Sequence, residues 1–308
     1  MADRSPTWVN PREAFDRTLV SGESVSVNSA ATCTELLATF RDATPRWMSY
    51  GKAVEILKNP RAHCWRLVHI PKSGGTTVAQ YFGWTFQGHV TMEENVNRSY
   101  PRRGAPFFTL LRHPVERSLS AYYFMQSGRH QSRTAWMARQ ARFCKPGTGR
   151  FENATEPCVP RLSPYEWLRC ADPERSSEPH CAAARELSIE SAQYQFEFLR
   201  PARNSTLADV VRVLSKRFFL VGVTELLPTF LPLASRALGI PPKDSSYGPS
   251  MRVKVTPHPP VAEVFTEEQY RELAQQRRVD LALYSWARAR LEMVAQCMNV
   301  SVVRSKLN

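Results

Sequence analysis

Two apolar runs, each ending in a cluster of polar and turn-forming residues, organise the first half of the chain. Trp65 to Val68 leads into His69-Ile70-Pro71-Lys72-Ser73-Gly74-Gly75-Thr76-Thr77, after which Val78 to Phe82 reads as the first turns of a helix. Phe107-Phe108-Thr109-Leu110-Leu111 is apolar almost throughout, the pattern of a strand covered on both faces in a parallel sheet. It ends at Arg112-His113-Pro114, and Val115 to Phe124 continues as a helix with Pro114 in its first turn. Between these units, Thr85 to Val90 reads as a strand. Helical patterns cover Thr34 to Arg41 and Trp47 to Lys58, and return at Ala182 to Leu199 and Leu226 to Leu238. Arg217 to Val223 reads as a further strand. Thr266-Glu267-Glu268-Gln269 opens a long C-terminal helical region, with an N-cap threonine and a glutamine three residues on. Strands alternating with helices predict an α/β fold, a mostly parallel sheet flanked by helices. Residues 1–60 are expected to be an N-terminal extension, partly helical or disordered. Residues 61–300 are expected to form one domain carrying an insertion at 129–185.

The first polar cluster has the composition of an oxyanion cradle. Gly74 and Gly75 can take backbone angles closed to other residues, so successive N–H groups can converge on one anion. Thr76 and Thr77 add hydroxyl donors, Ser73 another, and Lys72 a full positive charge at the rim. A nucleotide triphosphatase loop needs a lysine directly after its last glycine, in the pattern GxxxxGK[ST]. Here the lysine precedes the glycine pair, and no GK[ST] occurs in the chain, which argues against a kinase of that class. In the second cluster a strand-end arginine, Arg112, is followed eight residues on by Ser120. An arginine fork with a serine hydroxyl suits a phosphate monoester. Pairing of Arg112 with a carboxylate, and a merely packed Ser120, would explain the same residues. The two clusters lie one strand–helix unit apart, which favours the phosphate reading.

These segments resemble the Golgi glycosaminoglycan 2-O-sulfotransferases, the heparan sulfate and uronyl group. The first loop is similar to their 5′-phosphosulfate motif, and Arg112 to Phe124, with the paired tyrosines, to their 3′-phosphate motif. Phe218-Phe219-Leu220-Val221-Gly222-Val223-Thr224-Glu225 resembles a late strand and helix start of that family, and the stretch around Leu283-Tyr284 its closing helix. The likeness runs from about Arg66 to about Glu292. It implies a P-loop-NTPase-like sulfotransferase fold and a sulfuryl donor, 3′-phosphoadenosine 5′-phosphosulfate (PAPS), used without a metal. The expected donor-binding residues are Lys72, Ser73, Gly74, Gly75, Thr76, Thr77, Arg112 and Ser120, with an acidic polysaccharide as acceptor. Arg-His-Pro stands where the family commonly has Arg-Asp-Pro.

Sulfuryl transfer needs a base for the acceptor hydroxyl, and histidine is the default near neutral pH. Gln87-Gly88-His89-Val90 closes the strand after the first helix, near the cradle's mouth. It resembles the family's His-Gly-His-Val segment, whose second histidine is the base, with Gln87 in place of the first. His89 is therefore the expected catalytic base, Lys72 the cation for the leaving oxygen, and Glu93 and Glu94 the reserves. A packed core histidine is the competing reading of His89. His69 on a buried strand is expected to be structural, and His130, His180 and His258 lie in loops without a supporting pattern.

Charge and cysteines complete the picture. Lys and Arg exceed Asp and Glu by 13, an excess able to hold an acidic polymer. No aromatic-rich RNA motif or metal-spaced finger accompanies it, so nucleic acid is not expected. No run approaches ~18 apolar residues, so no transmembrane segment is expected within the sequence. Sequons at Asn97, Asn153, Asn204 and Asn299 point to a secretory compartment, and the resemblance to the Golgi lumen. Cys144, Cys158, Cys170 and Cys181 sit in a stretch rich in Pro and Arg with little hydrophobic period. Pairs 144–158 and 170–181 are the simplest disulfides, with a zinc site a weaker alternative. Cys33, Cys64 and Cys297 are expected to be plain or free thiols. A catalytically inactive polyanion-binding protein on the same fold would be expected to lose Lys72, Arg112, Ser120 or the base. Candidates for all four are present.

Overall fold

The computed structural model describes residues 33, 66–82, 91–93, 107–127, 162–172, 174–175, 177–181, 191–238 and 258–303. The expected strand at 85–90, both helical patterns before residue 60, and Cys64, Cys144 and Cys158 lie outside them.

Among the described residues three parallel strands form a sheet in the order β1 (Arg66–Val68), β2 (Phe107–Leu111), β3 (Phe218–Val223). Leu67 pairs with Phe108 and Val68 with Thr109; on the other side Thr109 pairs with Val221 and Leu111 with Val223. β2 is central among the described strands, which explains its apolar run: Phe108, Thr109, Leu110 and Leu111 are all buried. The one polar side chain there, Thr109, donates to the Val68 carbonyl at 2.8 Å. β3 is buried along its whole length. Gly222 is required by a close approach, because a Cβ there would lie 2.2 Å from Phe230 Cδ2.

Helices pack around this sheet. They are α1 (Gly75–Tyr81), α2 (Pro114–Ser127), α3 (Pro164–Arg169), α4 (Tyr194–Leu199), α5 (Leu207–Arg217), α6 (Leu227–Leu238), α7 (Val261–Val264), α8 (Glu267–Gln276) and α9 (Arg278–Cys297). Capping boxes start α5 (Thr206 with Asp209) and α8 (Thr266 with Gln269), the second as the sequence predicts. The main core joins Val78, Phe108, Leu220, Phe230 and Trp286 across α1, the sheet, α6 and α9. The result is an α/β architecture, a parallel sheet flanked by helices.

Several expectations change. Of the helix expected over Ala182 to Leu199, residues 182–190 lie outside the described residues, 191–193 are not helical, and α4 covers Tyr194–Leu199. Its start is fixed from a distance: Asp280 accepts from the N–H groups of Gln195 (3.0 Å) and Phe196 (2.7 Å), donors that a helix start leaves unmatched. The C-terminal helical region is broken at Arg277 (φ −105, ψ 23). The buried Arg277 guanidinium donates to the carbonyls of Leu168 (2.8 Å) and Leu273 (3.1 Å), tying that break to α3. The described part of the insertion is no loop decoration. Leu162, Trp167 and Leu168 join Leu119 and Tyr122 of α2 and Leu273 of α8 in a second core. The signal was present in Ser163-Pro164-Tyr165-Glu166, which forms a complete capping box on α3. Cys170 and Cys181 are disulfide-bonded, as expected. Cys33 and Cys297, expected to be separate thiols, are also bonded, because the fold brings positions 264 residues apart to a Cα separation of 5.3 Å.

Candidate functional site

All three strands run the same way, so their C-terminal ends open on one edge, where ligands of open α/β sheets bind. Three turns meet there: 69–74 after β1, Arg112-His113 after β2 and Thr224-Glu225 after β3. Thr224 donates to the Leu111 carbonyl at 3.0 Å and lies against Gly74, so the third turn touches the other two.

The first turn is built from two unusual backbone positions. Lys72 has φ 66 and Gly74 φ 81, both left-handed. Glycine tolerates that region, whereas lysine pays roughly 1–2 kcal/mol for it. Gly74 then caps α1, its carbonyl accepting from the N–H groups of Thr77 (3.0 Å) and Val78 (3.3 Å). Gly75 answers a different need: a Cβ there would sit 2.2 Å from His69 Cδ2, so the His69 ring occupies the space a side chain would take. His69 is buried, in keeping with a structural role. Ser73 turns inward; it is fully buried and its hydroxyl donates to Gln195 Oε1 at 3.4 Å. Thr77 is buried and Thr76 half-buried.

Arg112 leaves β2 beside this turn. Its Nη1 donates to the Lys72 carbonyl at 3.4 Å, and its Nη2 is 3.8 Å from Glu116 Oε2, an open ion pair. Lys72 Nζ lies 4.2 Å from the centroid of the Phe124 ring on α2. Arg112 thus lies across the Lys72 backbone, and both side chains meet α2, which forms a rim with the turn. Ser120 is only 2% exposed, in the buried middle of α2. A ligand at the rim meets Arg112 before it meets that hydroxyl.

His113 is buried between two aromatic rings, stacked on Tyr270 at 6.0 Å and edge-on to Tyr284 at 5.5 Å. Its backbone N–H donates to Glu225 at 3.0 Å. His89 and Glu94 lie outside the described residues, and Glu93 is half-buried beside the buried Met92.

Three residues without a sequence signal belong to this region. Gln195, fully buried, binds both motifs at once: besides Ser73, it accepts from Arg112 N–H (2.9 Å) and donates to the Arg112 carbonyl (2.8 Å). Asp280 holds Gln195 from behind, and burial pushes its carboxyl up to about 6, against the backbone N–H donors and the Arg117 and Arg277 charges that favour its ionised form. His258, read from sequence as an unsupported loop histidine, stacks on Tyr123 at 5.7 Å with its ring Nδ1 2.9 Å from the Pro259 carbonyl. Burial lowers its pKa against the bond to the Pro259 carbonyl, and Arg112 and Lys72 lower it further while Glu116 opposes them. That places it among the rim charges. The contact with the carbonyl assigns the proton to Nδ1 and leaves Nε2 as the acceptor.

Among the described residues no group of three or more His, Cys, Asp or Glu side chains is arranged to hold a metal ion, and no helix is long and apolar enough to cross a membrane. No protein-family model matches the chain, and no curated protein is significantly similar to it.

Proposed function

We propose that the protein is a PAPS-dependent sulfotransferase that moves a sulfuryl group to a hydroxyl of an acidic polysaccharide. The observation that carries this reading is the joining of two cationic motifs at one sheet edge, with Arg112 Nη1 bonded to the Lys72 carbonyl of a left-handed glycine turn. Backbone strain kept at Lys72 fits a position set for function rather than for packing. Two cationic motifs side by side would take a ligand with two anionic groups: the 5′-phosphosulfate at the turn, the 3′-phosphate at the Arg112 fork.

In the reaction the acceptor oxygen attacks sulfur in line, the bond from sulfur to the bridging phosphate oxygen breaks, and His89 takes the acceptor's proton. Lys72 stabilises charge on the departing phosphate oxygen, so its contribution grows toward the transition state. Turn N–H groups and the Thr76 hydroxyl hold the sulfuryl oxygens. A Golgi lumen would supply PAPS and polysaccharide together. The exposure of Asn204 and Asn299, two of the sequon asparagines, is compatible with glycan attachment there.

Calorimetry in EDTA is the test. Adenosine 3′,5′-bisphosphate should bind without metal, and Arg112→Ala should weaken it far more than it weakens 5′-AMP. A preference for ATP with magnesium would refute the proposal. Transfer of labelled sulfate from PAPS to heparan, chondroitin and dermatan acceptors then separates an enzyme from an inactive polyanion binder.

A further inference from the structure

We propose that Gln195 is the positioning residue of this site, a buried strut that holds the cradle and Arg112 at a fixed separation. The part of this inference that concerns donor affinity rests on the function proposed above; the mechanical part does not.

The cradle and Arg112 also touch directly. The direct bond shown between them, Arg112 Nη1 to the Lys72 carbonyl, is long at 3.4 Å. Behind the rim, one amide group does more. Gln195 Oε1 accepts from Arg112 N–H at 2.9 Å and from Ser73 Oγ at 3.4 Å, while Gln195 Nε2 donates to the Arg112 carbonyl at 2.8 Å. Both backbone groups of Arg112 are thus clasped by one side chain, which fixes the direction in which the guanidinium leaves the strand. The same oxygen also accepts, at 3.4 Å, from Ser73, the fully buried residue between left-handed Lys72 and Gly74.

Gln195 is itself anchored. Its N–H and that of Phe196 both donate to the Asp280 carboxylate, and Gln193 Oε1 accepts from Asp280 N–H at 3.0 Å. Gln193 Nε2 reaches the Gln276 carbonyl at the end of α8. The groups facing Asp280 are Arg117, whose guanidinium lies 4.3 Å from the Tyr194 ring centroid, and Arg277. A fully buried amide that uses both its donor and acceptor arms is costly to replace by any group lacking one of them, because the abandoned partners stay buried. A half-ångström drift of a positioned group is enough to spoil an anion site.

The test uses Gln195→Met, which keeps length and loses both arms. Amide hydrogen exchange of the ligand-free protein should rise at least tenfold in peptides covering 69–77 and 107–115, with the α5 peptide unchanged. A uniform rise everywhere, or no rise at the two motifs, overturns the strut. Gln195→Glu covers the event that the methionine variant does not fold. Its protonated acid keeps donor and acceptor, so exchange should approach wild type at pH 5 and rise at pH 8, after correction for intrinsic rates; the same exchange at both values overturns the proposal. In calorimetry, Gln195→Met should weaken adenosine 3′,5′-bisphosphate 10–100-fold in the wild-type background and less than threefold in Arg112→Ala. Equal losses in both backgrounds would make Gln195 merely structural. If the wild type binds no bisphosphate, the proposed function fails while the exchange result still decides the strut.

Discussion

The adjacent glycines of the cradle are required for different reasons, and substitution can separate them. A Cβ on Gly75 would lie 2.2 Å from Cδ2, 2.6 Å from Nε2 and 2.7 Å from Cγ of His69. Carbon atoms rest at about 3.5–4.0 Å, so the ring would have to retreat by more than about 1 Å. His69 is 7% exposed, so little free volume receives it. Overpacking of this kind costs about 1–3 kcal/mol, which is the expected loss for Gly75→Ala in urea unfolding. In a His69→Ala background the obstacle is gone. The same change should then be neutral, or stabilising by up to about 1 kcal/mol, because alanine favours the helix that Gly75 begins. The double-mutant cycle should therefore give a coupling energy of about 1–4 kcal/mol. Gly74→Ala behaves otherwise. Its nearest neighbour, Thr224 Cγ2, is 3.5 Å away, an ordinary contact, so the cost is the φ of 81 alone, about 1–2 kcal/mol. Truncating His69 should leave that cost intact. The reasoning is refuted if Gly75→Ala stays within about 0.5 kcal/mol of wild type, or if its cost survives in the His69→Ala background.

Three further outcomes are expected. Asp280 binds its proton more tightly folded than unfolded, so it favours the fold at low pH and loses that contribution as pH rises from about 3.8 to about 6, a change of about 3 kcal/mol. Urea unfolding from pH 4 to 7 should show this slope in the wild type and lose it in Asp280→Asn; parallel curves would contradict it. His258 titrates below its usual range partly because Arg112 and Lys72 are near. A dianion bound across them should move its NMR titration upward, and an unmoved or lowered midpoint with saturating adenosine 3′,5′-bisphosphate would place the anion elsewhere. Opening the Cys170–Cys181 link, whose ends are 11 residues apart, with a Cys170→Ser, Cys181→Ser pair should cost up to about 3 kcal/mol, and no change in denaturation midpoint would show that α3 does not depend on it.

What could be read along the chain was whatever is encoded locally. β2 declares itself because a strand buried on both faces must be apolar at successive positions, and α8 because its capping box lies within four residues. The turn at 71–75 is legible in part: proline and glycine mark a turn directly and Gly74 takes the left-handed angle expected of it, whereas nothing in the sequence signals the left-handed Lys72, and Gly75 is glycine for lack of room beside His69. Gln195 is not legible, since its partners Ser73 and Arg112 are 122 and 83 residues away. A glutamine in a helical pattern reads as solvated surface. His258 has no periodic context at all, and only the fold sets it beside Tyr123. The break at 191–193 within the expected helix has the same origin, because the carboxylate that holds the start of α4 comes from α9. Ser163-x-x-Glu166, by contrast, was a local signal hidden by the prolines and arginines around it.

Gln195 belongs to a polar layer between two apolar cores, and that arrangement explains why the site is built as it is. Arg117, Arg277 and Asp280 are each 1% exposed, at the junction of the sheet core with the second core of α2, α3 and α8. Apolar packing is tolerant of small slips, since many similar contacts replace one another. Directional bonds are not: Arg277 meets two particular carbonyls, Asp280 two particular N–H groups, and Gln195 both sides of one peptide plane. Each bond contributes about 1 kcal/mol when made, and its buried partners cost more than that when it is lost. A layer of this kind gives little net stability and fixes register instead. The rim residues Lys72 and Arg112 inherit that register through Ser73 and the Arg112 backbone. The precision of the candidate site therefore originates in side chains that never reach its surface.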